Sequence, residues 1–236
     1  MKRGLALALV ALVASGCGGV DDTELTVFAA ASLTEAFEEL APAARFNFAG
    51  SDQLAAQLRE GAEADVYAAA SPRYPDELYA ERLVERPIVF ATNRLVLVVP
   101  SESPIGSLDD LERDGVKLVV GAEGVPVGDY TREALERVGR ERVLENVVSE
   151  EEDVKGVLGK VALGEADAGF VYATDAKAAG DEVRAVELPD AVQVPIRYPA
   201  AVVRETGDHD AAEEFVRLLT GERGRQALRR AGFGLP

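Results

Sequence analysis

Leu25-Thr26-Val27-Phe28-Ala29-Ala30-Ala31-Ser32-Leu33-Thr34-Glu35-Ala36-Phe37 is the stretch on which the fold turns. An apolar strand-like run ends in three alanines and passes directly into residues with helical spacing. Ser32 and Glu35 stand three apart at that junction, the spacing of a capping box, which predicts Ser32 as N-cap. A helix start leaves backbone N–H groups unpaired and carries the positive end of the helix dipole. The alanines add no bulk, so an anion could approach the backbone closely. The same spacing also serves ordinary helix starts, and a single copy does not separate the two readings.

Similar turns recur downstream. Arg45–Phe48 alternates like a strand, and Gly50-Ser51-Asp52-Gln53-Leu54 repeats the small turn, the serine and the helix. Ala64–Ala70 is a third strand ending in alanines, with Ser71-Pro72 opening the next helix. Arg94–Pro100 is the most apolar strand, followed by a polar segment, Ser101–Ser107, that reads as a crossover into a second lobe. Ser107-Leu108-Asp109-Asp110 caps a short helix, and Lys117–Gly121 is the first inner strand of that lobe. Pro126 near a helix start leaves the following N–H groups free to face a ligand. Val143–Val148 reads as a strand, and Glu151, Glu152 and Asp153 as acids complementing the dipole of the helix they begin. Ala166–Tyr172 is a strand that delivers a phenol to the next turn. Pro195–Val203 returns to the first lobe, and Asp208–Leu219 and Glu222–Ala231 close the chain as helices. Alternating strands and helices predict an α/β architecture with mainly parallel sheets.

Composition narrows the function classes. The chain has 236 residues and a formal charge of −17, from 42 acidic against 25 basic residues. Such a surface disfavours nucleic acid as a partner, and any bound anion must be held by local dipoles against the overall field. Lys2 and Arg3 precede a ten-residue apolar run, Leu5–Ala14, far short of the ~20 residues that span a bilayer. Val13-Ala14-Ser15-Gly16-Cys17 then leads into the chain's single cysteine and resembles a bacterial lipobox. The expectation is a signal peptide over 1–16, lipidation of Cys17, a tether over 17–23, and an exported, membrane-anchored protein without an internal disulfide.

Six segments in order, VFAAASLTEAF, GSDQLAAQL, GAEADVYAAA, EGVPVGDYTREAL, EDVKGVL and GFVYATDA, resemble the molybdate-binding proteins of bacterial ABC transporters. The likeness runs from about Leu25 to Pro236. It implies a type II periplasmic-binding-protein fold, two α/β lobes joined by crossover strands, with 24–94 and 200–236 as one lobe and 95–199 as the other. It implies a monomer that binds molybdate or tungstate, uses no cofactor and delivers its cargo to an ABC permease. Carried over residue by residue, the ligands are the hydroxyl and N–H of Ser32 and of Ser51, the N–H of Val127, the N–H of Val154 and the hydroxyl of Tyr172. None is a metal-cation ligand, because the metal arrives as an oxyanion.

The chain departs from the family at three places. Position 127 is often alanine, so Val127 narrows the pocket. Asp52 puts a carboxylate beside the supposed anion seat, and the link from the first helix to Arg45 is short. Three alternatives stay open. One is another tetrahedral oxyanion such as sulfate, the second a sensory or adhesive lipoprotein, and the third a serine-dependent hydrolase. For the last, base assistance is scarce: the sole histidine, His209, lies in a polar helix start, and no G-x-S-x-G elbow, P-loop or zinc-spaced cluster occurs.

Overall fold

The computed structural model describes residues 24–236, so the leader, Cys17 and the tether lie outside the described residues. Ten strands form two five-stranded sheets. The first has the order β2 (Arg45–Ala49), β1 (Thr26–Ala30), β3 (Val66–Ala68), β10 (Ile196–Val202), β4 (Ile88–Asn93). The second has the order β7 (Val147–Glu151), β6 (Leu118–Gly121), β8 (Ala168–Tyr172), β5 (Leu95–Pro100), β9 (Val183–Glu187). Eight α-helices cover them: α1 (Thr34–Leu40), α2 (Ser51–Arg59), α3 (Arg73–Ala80), α4 (Pro126–Arg137), α5 (Val154–Ala162), α6 (Ala173–Ala179), α7 (His209–Thr220) and α8 (Glu222–Ala231).

The sheets are mixed rather than mainly parallel. In each, four strands point one way and one runs against them: β10 lies antiparallel between β3 and β4, and β5 antiparallel between β8 and β9. That follows from the path of the chain. β4 runs into β5 through Arg94 alone, and β10 returns from the second sheet to lie between β3 and β4. β10 pairs with the first sheet over its whole length and so runs through residue 199, where the expected lobe boundary lies. The two crossings are clipped together by Gln193, which accepts from the Leu95 N–H at 3.2 Å and donates to the Leu95 carbonyl at 2.9 Å.

The burial follows from the strand composition. β5, LVLVVP, is buried on both faces from Leu95 to Val99, and β8 is buried throughout, as expected of central strands covered by helices. Phe37, Phe90 and Phe215 pack at centroid distances of 5.4–5.9 Å under α1 and α7. The capping box expected at Ser107 forms, its hydroxyl and N–H both meeting the Asp110 carboxylate at 3.0 Å.

Several local expectations fail because a tertiary partner outcompetes the local one. Ser32 is no N-cap. It lies inside a 3-10 turn, Ala31–Leu33, that precedes α1. Its hydroxyl bonds Tyr198 rather than a backbone amide, and Glu35 reaches Lys155 instead of closing a box. Pro72 is the N-cap of α3, not its first residue. The segment expected as a strand at Val143–Val148 is mostly a 3-10 turn, Glu141–Asn146, with β7 starting only at Val147. Glu151 belongs to β7, and Asp153 is the N-cap of α5, accepting from the Gly156 N–H at 2.9 Å, so the first turn of α5 holds no acid.

Candidate functional site

Six strand-to-helix junctions from two sheets meet in one small cavity of about 20 Å³. Ser32, Ser51, Val127, Val154 and Tyr172 all line it, with Ala30, Ala31, Ala49, Gly50, Ala70, Val125, Pro126 and Asp153 filling the gaps. A water needs ~10–15 Å³ measured the same way, so this space suits a small ion or a molecule of a few atoms. The small residues at Ala30, Ala49 and Ala70 end β1, β2 and just follow β3. They let the backbone itself form the wall.

The first sheet contributes two hydroxyls. Ser51 is the first residue of α2, after Gly50 as N-cap, and its Oγ accepts from the Ala70 N–H at 3.0 Å. Its carbonyl accepts from the buried Tyr67 hydroxyl at 2.7 Å, which pins the turn from behind. Ser32 Oγ lies 2.9 Å from the Tyr198 hydroxyl. Both serines are almost fully buried, at 3% and 1% exposure for Ser32 and Ser51.

The second sheet brings two helix starts and a phenol. Val125 caps α4 with Pro126 in the first position, so Val127 stands in the first turn, where N–H groups have no intrahelical acceptor. Gly128 behind it admits no side chain: a Cβ there would lie 2.2 Å from the Gly121 carbonyl oxygen. Val154 opens α5 directly after its Asp153 cap. The Tyr172 hydroxyl is buried and has no hydrogen-bond partner among the described residues. Burial pushes its pKa well above the usual phenol range, with nearby Tyr198 adding to the effect, so the group keeps its proton.

Every one of these donors is neutral, and among the described residues no lysine or arginine lines the cavity; the acidic residue that does, Asp153, spends its Oδ1 on the Gly156 N–H. Lys155, next to Val154, turns outward to Glu35 at 2.6 Å and to Asp175 at 3.5 Å. Asp52 is not among the lining residues. Its carboxylate folds back along α2, with Oδ1 only 2.7 Å from where a Cβ on Gly50 would stand. Burial raises its pKa, opposed by the amides of Asp52 and Gln53. No cavity hydroxyl contacts an imidazole or carboxylate among the described residues, and His209 pairs instead with Glu85 at 3.1 Å.

Several polar contacts cross from one half to the other. Besides Lys155–Glu35, Gln53 donates to Glu152 at 3.0 Å, Arg73 meets Asp129 at 3.4 Å, and the Tyr74 hydroxyl bonds the Gly124 carbonyl. Sequence reasoning missed these contacts, and it missed Tyr198 and Asn93 behind Ser32. Tyr198 lies 166 residues from Ser32, and nothing in its own strand pattern marks its hydroxyl as a partner.

With this geometry in hand, the comparisons are direct. Residues 25–234 match the family model described as bacterial extracellular solute-binding protein, and the chain belongs to that family. It is 39% identical over 224 residues to the molybdate-binding protein ModA of Mycobacterium tuberculosis, covering 90% of this chain and 85% of that one. The substrate-binding domain of a putative molybdenum ABC transporter from Clostridium difficile aligns with TM-score 0.68 at 31% identity, over 90% of this chain and 99% of that one. The periplasmic molybdate-binding protein of Azotobacter vinelandii aligns with TM-score 0.81 at 21% identity, over 90% and 100% of the two chains, a likeness of fold. The fold is the two-lobed type II arrangement of periplasmic binding proteins.

Proposed function

We propose that this chain is the extracytoplasmic receptor for molybdate or tungstate, closing its lobes over the ion and handing it to an ABC permease. One observation carries the reading: neutral donors from both sheets converge on a single ion-sized cavity, and one of them, the Tyr172 hydroxyl, is buried without a partner. The donors are two each from Ser32 and Ser51 and one each from Val127, Val154 and Tyr172, seven in all. Hydrogen bonds to a charged group are worth ~1.5–3 kcal/mol, so seven supply roughly 10–20 kcal/mol gross. Desolvating the ion costs several kcal/mol, and nanomolar affinity requires about −12 kcal/mol. Dipoles alone are sufficient, and a site without fixed cations can still release its cargo. In this reading the protein is a monomeric binding protein and not a hydrolase, since neither serine has a base beside it. Among the described residues no helix is long and apolar enough to cross a membrane, and we assign attachment to a lipid on Cys17.

Thermal unfolding of the purified protein against molybdate, tungstate, sulfate and phosphate tests the assignment. Ligand at 100 times Kd adds about 2.7 kcal/mol of stability. Molybdate and tungstate should stabilise strongly and phosphate should not. Stabilisation by sulfate in their place would reassign the ligand, and no response to any of the four would remove the function. Palmitate labelling of the expressed chain, lost in Cys17→Ala, tests the anchor.

A further inference from the structure

We propose that Asn93 and Tyr198 are positioning residues that aim the proton of Ser32 into the cavity, making this serine a donor that selects against oxyanions still carrying a proton. The inference rests on the oxyanion reading above and deepens it. A serine hydroxyl has one proton and two lone pairs, so what it offers a ligand depends on its other neighbours.

Those neighbours form a chain with a fixed direction. Asn93 ends β4 beside the crossover, and its Oδ1 accepts from the Arg94 N–H at 2.9 Å. A backbone N–H can only donate, so the atom facing it is the amide oxygen, which orients the whole side chain. Nδ2 therefore points the other way, to Thr174 Oγ1 at 2.9 Å and to the Tyr198 hydroxyl oxygen at 3.4 Å. With a donor aimed at its oxygen, Tyr198 keeps its own proton for Ser32 Oγ, 2.9 Å away. Were Ser32 to donate to Tyr198 instead, the phenol oxygen would face two donors and its own proton would lose the serine as acceptor. Ser32 thus accepts from behind and has its proton left for the cavity that it lines. Tyr198 is fully buried, and burial pushes its pKa well above the ordinary phenol value, so the relay retains its proton. The second serine is set the same way by a different device, the Ala70 N–H on its Oγ.

Reversing the relay tests the idea. Asn93→Asp, with its carboxylate ionised at mildly alkaline pH, accepts from the Tyr198 hydroxyl. Tyr198 then accepts from Ser32, and the serine turns a lone pair toward the ligand. Calorimetric titration with molybdate and with inorganic phosphate, then present as the monohydrogen dianion, reads the outcome. Both ions carry two charges, so the added carboxylate weakens both alike. Their affinity ratio isolates proton direction and should move toward phosphate by about tenfold. Tyr198→Phe keeps the ring between Tyr172 and Phe233 but removes the relay. It should weaken molybdate about three- to fivefold, through lost polarisation of the Ser32 hydroxyl. In the double variant the ratio should match that of Tyr198→Phe alone, because the phenol through which residue 93 acts is gone. An unchanged ratio in Asn93→Asp, a ratio in the double variant that differs from Tyr198→Phe, or undiminished molybdate affinity in Tyr198→Phe overturns the proposal. Absence of binding by the wild-type protein to either ion overturns the oxyanion reading itself.

Discussion

Tyr172→Phe removes a single oxygen and leaves the rest of the site standing. The ring stays packed edge-on against Tyr198, centroids 5.9 Å apart at 73°, and the residue is 1% exposed, so no new surface opens. In the closed form the hydroxyl is buried without a protein partner among the described residues, so its removal breaks no hydrogen bond within the protein. Ligand-free stability should therefore hold to within ~1 kcal/mol, which for a chain of this size is about 2–4 °C in Tm. Affinity moves the other way. A hydrogen bond to a charged ion contributes ~1.5–3 kcal/mol, so Kd should rise roughly 10- to 150-fold. At molybdate equal to 100 times the wild-type Kd, the wild-type protein gains about 2.7 kcal/mol, or about 5–11 °C. A variant with a hundredfold weaker Kd gains only ~0.4 kcal/mol, about 1–2 °C. Calorimetric titration together with unfolding curves taken with and without ligand measures both quantities. A fall of several degrees without ligand, combined with unchanged affinity, would show that the phenol serves packing and not the ion.

Gly50→Ala should fold normally, since its φ of −58° suits any residue, yet the new Cβ would sit 2.5 Å from the Glu152 carbonyl oxygen across the cleft. Molybdate affinity should drop by tenfold or more while the ligand-free Tm stays within about 2 °C of wild type, as read by titration and unfolding. Ser51→Ala differs from Tyr172→Phe on the stability side. It strips the buried Ala70 N–H of its acceptor as well as the ion of a donor, so ligand-free stability and binding should each fall by roughly 1–3 kcal/mol. Asp175 is buried with Lys155 no closer than 3.5 Å, and burial raises its pKa to about 7, with Lys155 opposing. An acid whose folded pKa is raised is best tolerated below its unfolded pKa and loses stability as pH rises toward the folded one. Asp175→Asn should therefore be more stable than wild type by a margin that grows from about pH 4 to about 7 and is flat above, reaching on the order of a few kcal/mol. A margin independent of pH would mean that the carboxyl is not neutral in the folded protein.

How much of this was written locally differs from element to element. The α/β order and the helix starts at Ser51 and Pro126 were legible because each depends on one junction: a strand, small residues, a helix start; Val127 and Val154 entered only through the family resemblance, and the cavity they line was not legible from either junction alone. Pro126 in the first position of α4 is such a local signal. Ser32 does line the cavity, but not as the helix cap that its sequence suggests. Its spacing to Glu35 suggests a box, whereas the partners of both residues come from strands and helices more than a hundred residues away. The edge strands β4 and β9 were not legible either. β4 is half exposed at its start, and β9 alternates buried and exposed residues across only five positions, too little for periodicity to separate strand from loop. The direction of the hydrogen-bond chain behind Ser32 depends on which side of an amide faces the crossover, a fact that no pattern of residue types contains.

The site and the crossover are therefore one mechanical unit. Asn93 and Leu95 flank the single residue through which the chain leaves the first sheet, and Gln193 ties that passage to the returning one. The Asn93 that is set by the Arg94 amide also touches the phenol that touches Ser32. The contacts across the mouth of the cleft are of a different kind. Lys155–Glu35, Gln53–Glu152 and Arg73–Asp129 involve side chains that are 30–56% exposed where measured, and exposed pairs of that sort contribute ~0–1 kcal/mol each. Even with the one part-buried contact, the neutral Tyr74–Gly124 hydrogen bond of ~0.5–1.5 kcal/mol, they are too weak to hold the lobes shut without cargo and too weak to prevent release. Closure must then draw its free energy from the ion itself, through donors that the two lobes present only together. Tight capture and reopening follow from one arrangement, because the strong interactions belong to the ligand and only the weak ones to the protein's own lips.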